Sequence, residues 1–167
     1  VTTVLHLGVI DIPYVEQESA RATRARLKKG KSRGRIAKLF NKTATTGDVA
    51  EILEAKYHVM RIFFELHKEE VIEDIAQSLV GAMESIQLGA PLRISPFGAA
   101  ESSIQARFKQ FLANREIEHV GYPGVPTQAA LDGVNHRLKH PYASKNKRRP
   151  SFIDTGLYSS SFKSWLD

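Results

Sequence analysis

A chain of 167 residues suffices for one domain with a hydrophobic core and is short for two. An apolar content of 42% argues against a disordered polymer, and the lack of cysteine excludes disulfides, thiol catalysis and cysteine-type zinc sites. The net charge of +6 excludes little, because the charges are unevenly distributed.

Residues 2–14, VLHLGVI at their centre, read as a strand whose end or edge Pro13 marks. The opening VTTVLHLGVIDIPY has no charged n-region and no cleavage site, so no signal peptide is expected, and no apolar run reaches the ~18 residues of a membrane span. Residues 16–46 then form an expected extended or hairpin-like basic arm, ordered mainly by a partner. Between Glu18 and Asp48 stand ten bases and no acid: Arg21, Arg24, Arg26, Lys28, Lys29, Lys31, Arg33, Arg35, Lys38 and Lys42. Its sizeable apolar residues are Leu27, Ile36, Leu39 and Phe40, and Gly30 and Gly34 interrupt any long helix.

A short helix should open at Thr46-Gly47-Asp48, capped by Thr45 or Thr46, with Val49, Ile52 and Leu53 on its buried face. YHVMRIFF reads as an apolar connector. A long central helix is predicted over about 66–88, its inner face formed by Ile72, Ile75, Leu79, Met83 and Ile86. LRISPFG is a loop. Ala99 to Asn114 make a further helix with Ile104, Phe108, Phe111 and Leu112 inward, and Thr127 should cap another over Gln128–Leu138.

HPYASKNKRRP is a basic loop. Six more bases, Arg137, Lys139, Lys145, Lys147, Arg148 and Arg149, lie between Asp132 and Asp154 with no acid among them. Sixteen of the 24 bases thus sit in two stretches, leaving eight against all 18 acids elsewhere, a net of −10. Two cationic segments on an acidic body suit a polyanion or an acidic neighbour. Arg21, Arg24, Arg26, Lys28, Lys29, Lys31, Arg33, Arg35, Lys145, Lys147, Arg148 and Arg149 are the candidate contacts to DNA or to a neighbouring subunit. Almost no aromatics interleave the arm, so phosphate contact fits better than base stacking.

Three motifs point to chemistry and are better explained otherwise. Asp154-Thr155-Gly156 carries the tripeptide of aspartic proteases, but only 11 residues follow it, too few for the flap and second carboxylate that such an enzyme needs. Here Phe152 and Ile153 should insert into the core, Asp154 or Thr155 should cap a short helix from near Leu157, and Leu157, Phe162 and Trp165 should continue the burial. Gly30-Lys31-Ser32 lacks the earlier glycine of a P-loop, since position 25 is Ala. His136 and His140 are four apart, but no third ligand is evident. No enzyme, cofactor or metal is expected.

The order of Leu7-Gly8-Val9, Asp48-Val49-Ala50-Glu51, Arg61-Ile62-Phe63-Phe64 and Arg149-Pro150-Ser151-Phe152-Ile153-Asp154-Thr155-Gly156-Leu157 resembles the tail-completion or neck (head–tail joining) proteins of long-tailed double-stranded-DNA bacteriophages. The C-terminal block is the specific part. The family's Glu-Phe-Gly stands here as Glu54-Ala55-Lys56, and its Arg-Pro-Phe as Arg61-Ile62-Phe63. The resemblance implies a non-enzymatic α+β subunit of a homo-oligomeric ring, six-fold or twelve-fold, in the virion neck or tail, made in the bacterial host cytoplasm. Its partners would be other neck, connector and tail proteins and packaged double-stranded DNA, with no membrane. The alternative is a stand-alone nucleic-acid-binding protein using the arm for non-specific phosphate contacts. The fold expectation is α+β: one domain, 1–167, with a small sheet, a long central helix and the arm.

Overall fold

The computed structural model describes residues 3–14, 45–91, 95–135 and 138–167. The arm's eight candidate cations, Arg21 to Arg35, lie outside the described residues, as do His136 and Arg137. The described elements are β1 (Leu5–Val9), α1 (Thr46–Tyr57), α2 (Val59–Leu66), α3 (Lys68–Gln87), α4 (Gly98–Ala113), α5 (Glu116–His119), α6 (Gln128–Leu131), α7 (Leu157–Ser161) and β2 (Phe162–Leu166). The architecture is α+β, with helices gathered against a two-stranded antiparallel sheet.

The sheet joins the two ends of the described chain, pairing Leu5 with Leu166 and Val9 with Phe162. Amide–carbonyl bonds between Val4 and Asp167, 3.0 and 3.3 Å, continue the ladder. β2 alternates with the period of a strand: Phe162 and Ser164 are buried, Lys163 and Trp165 exposed. Trp165, expected inside, is 45% exposed on the outer face, where its ring stacks on His6 at 5.2 Å. Its ring carbons lie 3.2 Å from where a Cβ on Gly8 would stand, so a side chain there would push the indole by a few tenths of an ångström.

The core is aromatic. Phe63, Phe108, Phe111 and Phe162 are fully buried; Phe108 and Phe162 stack at 3.8 Å, and Phe63 meets Phe108 edge-on at 5.2 Å. Ile104, Phe108, Phe111 and Leu112 face inward from α4, as their spacing predicts. Ser164 donates its hydroxyl to the Glu101 carbonyl (3.0 Å) and the Leu166 amide donates to the Glu101 carboxylate (3.2 Å), locking β2 along α4.

Four elements differ from expectation. YHVMRIFF contains a helix: His58 takes a left-handed conformation (φ 50°) that breaks the chain between α1 and α2. The Glu54 carboxylate then accepts the Met60 amide (2.8 Å) and the Arg61 amide (3.3 Å), which would otherwise be unpaired at the start of α2. In α1 the buried residues are Thr46 and Ala50, with Val49 and Leu53 packed against the core; Ile52 is 62% exposed. The helix at Gln128 stops at Leu131, because Gly133 turns the chain with φ 68°.

The fourth difference is on α3. Its covered face runs through Val71, Asp74, Ile75 and Ser78. Asp74 accepts from the Ser103 hydroxyl (2.8 Å) and the Arg107 guanidinium (3.1 Å) on α4, and the Ser78 hydroxyl donates to the Pro96 carbonyl (2.7 Å). These polar ties fix the helix about a quarter turn away from the face its apolar spacing predicts, given ~100° per residue. Ile72, Leu79, Met83 and Ile86 are consequently exposed, from 40% to 61%.

Candidate functional site

Residues 15–44 depart from and return to one point. The Thr46 hydroxyl donates to the Ile10 carbonyl (2.5 Å) and accepts the Ile12 amide (2.8 Å), and the Thr46 amide donates to the Ile12 carbonyl (2.9 Å). Pro13 and Thr45 form a bridge. The Asp11 carboxylate accepts the Gly47 amide at 2.9 Å, and bonds from Thr45 and Gly47 hold its pKa below the usual aspartate value. Thr45 and Asp48 complete a reciprocal capping box. This stem clamps the residues before 15 to those that open α1. The sequence left the cap between Thr45 and Thr46, and the structure gives it to Thr45; the role of buried Thr46 in the clamp was not legible, since its partners lie more than thirty residues away.

The four described candidate cations divide into two pairs. Lys145 and Lys147 are exposed, and among the described residues neither ammonium has an ion-pair partner. Arg148 and Arg149 are engaged within the chain. Arg148 donates to Glu118 Oε2, while Glu118 Oε1 accepts both the Ser151 amide and the Ser151 hydroxyl at 2.8 Å. The Glu118 side chain is 4% exposed. Burial raises its pKa, but the Ser151 and Arg148 donors outweigh burial and leave it below the ordinary glutamate value. Arg149 donates to the carbonyls of Val134, Pro150 (3.1 Å) and Ile153 (2.8 Å), and its amide to that of Ala130 (3.1 Å). A Cβ on Gly133 would come within 2.6 Å of the Lys147 carbonyl, so the loop closes tightly over that glycine. Glu118 carried no sequence signal; an acid in a short helix says nothing of a serine 33 residues on.

Asp154-Thr155-Gly156 forms a turn into α7. Gly156 stands at the cap position with φ 79°, and the Thr155 hydroxyl accepts the Leu157 amide at 3.3 Å. Phe152 and Ile153 are half-buried against the core, with Phe152 5.1 Å from the Tyr57 ring. Beside this turn, burial and the Asp154 charge raise the Tyr14 pKa, opposed by a bond from the Tyr158 amide. Tyr158 is pushed higher still, by burial first and then by Glu54 and Tyr14.

Among the described residues, no cluster of three or more histidines or acids could hold a metal ion, and no helix is long and apolar enough to cross a membrane. The described residues offer ionic and apolar contact, through the exposed Lys145 and Lys147 and an uncovered apolar stripe on α3. Compared with protein-family models, curated proteins and solved structures, the chain matches none.

Proposed function

We propose that this chain is a structural subunit of a closed ring in the neck or tail-completion region of a long-tailed bacteriophage, where it helps complete the tail and leaves a channel for DNA. The observation that carries this reading is the stem of Ile10–Pro13 against Thr45–Gly47, which brings together the two points between which the sequence holds ten bases, on a chain whose remaining charge is negative. A ring of identical copies joined head to tail needs two different patches that fit each other. A basic projection and an acidic body provide them. The C-terminal Pro-Ser-Phe-Ile-Asp-Thr-Gly turn, on which the family resemblance rests most, serves here as a packing turn. Negative-stain microscopy of the purified protein, alone or with neck partners, should show closed rings, and the polypeptide should copurify with intact virions. A strictly monomeric particle in assembled virions would refute the reading.

The exposed, unpartnered Lys145 and Lys147 favour one alternative, a stand-alone protein that wraps nucleic-acid phosphates with the arm and this loop. Tight DNA binding by a monomer, falling steeply with salt and lost on deletion of residues 21–42, would favour that class.

A further inference from the structure

Helix α3 carries an apolar seam that the rest of the described chain leaves open. Ile72, Ala76, Leu79, Met83 and Ile86 follow one another at alternating steps of four and three, the spacing of a helix-packing seam. All five are exposed, and Val80 beside them is 54% exposed. The side facing α4 is a different one, held by Asp74 and Ser78. Glu69, Glu73 and Glu84 stand within one turn of the seam and are exposed, and the helix as a whole has five acids against Lys68 alone.

We infer that this seam is the docking surface for the basic segment 15–44 of a second copy of this chain. The inference rests on the ring reading for the choice of a second copy over the chain's own segment. Charge selects the occupant. An apolar stripe bordered by glutamates calls for a ligand that is apolar and basic, and residues 15–44 hold Leu27, Ile36, Leu39 and Phe40 among ten bases. Pairing two α3 helices would instead bring like-charged flanks together. Geometry permits it. With both ends clamped at Pro13 and Thr45, a segment of this length reaches out and back over at most ~50 Å.

The test replaces Met83 with a photoreactive phenylalanine in full-length protein. Equal amounts of light and heavy isotope-labelled chains are mixed, irradiated and mapped by mass spectrometry, with particle shape read in parallel by microscopy. Position 83 should crosslink to residues 27–42, with about half of the products joining a light to a heavy chain. Doubly substituted Met83→Glu/Ile86→Glu protein should keep the helical content of the wild type, because both positions are exposed on the single chain, and its copies should associate at least tenfold more weakly. Light–heavy products in open oligomers would sink the ring and leave the inference standing. Closed rings whose crosslinks stay within one chain, join α3 to α3, or avoid residues 15–44 would overturn the inference and leave the ring. Unaltered association of the double variant would also overturn it, and protein that neither associates nor crosslinks between copies would sink both.

Discussion

At Glu118 one buried carboxylate accepts three donors, two from Ser151 and one from Arg148. Replacing it with glutamine keeps the shape and removes the charge, which should cost about 1–3 kcal/mol, as for hydrogen bonds to a charged group. The pH dependence has a defined sign. The folded pKa lies below the ordinary glutamate value, so the carboxylate's contribution is complete above that ordinary value and disappears as pH falls through the lower, folded one. Thermal melts of wild type and Glu118→Gln should therefore differ by several degrees at pH 7 and converge as pH falls through the lowered, folded pKa, in line with ~2–4 °C per kcal/mol for this size. A constant gap across that range would mean that Glu118 acts by packing alone.

Helix α4 is the element against which the others are placed, and Phe108 is its centre, in contact with Phe63, Phe111, Tyr158 and Phe162. Phe108→Ala should cost about 3–5 kcal/mol, a large share of the ~5–15 kcal/mol that holds such a domain together. Denaturant titration would measure it; a loss below 1 kcal/mol would show that the cavity collapses. α4 was also the most legible element, because its inner face is apolar at every helical turn. α3 was misread for the converse reason. Its apolar spacing is equally regular, but Asp74, Ser103 and Arg107 rotate the covered face, and single-sequence periodicity has no term for bonds between side chains on different helices. α2 could have been found from Val59, Ile62 and Phe63, three residues at helical spacing that are all buried. β2 hid in a short stretch whose alternation, Phe162 and Ser164 in, Lys163 and Trp165 out, is plain once its partner strand is known. At the site, the sequence marked the cations but could not separate Lys145 and Lys147 from Arg148 and Arg149, whose guanidiniums are taken up by a distant carboxylate and by backbone carbonyls.

Across the molecule, the stem bridges Pro13 to Thr45, so the sequence between them can be replaced by a short connection. Joining Tyr14 to Thr45 through a short Gly-Ser linker removes the basic segment without moving either end of the clamp. Its melting temperature should be unchanged or raised, since shortening the closed loop recovers up to about 1–2 kcal/mol of chain entropy. A protein that fails to fold after this replacement would show that the segment belongs to the core. The sheet has a second consequence, for synthesis. β1 is made first but waits for β2, and Phe108 lacks its closest stacking partner until Phe162 leaves the ribosome. Until then the nascent chain displays part of its greasiest surface, so a product truncated before Phe162 should be a client for cellular chaperones and proteases rather than a working shorter form.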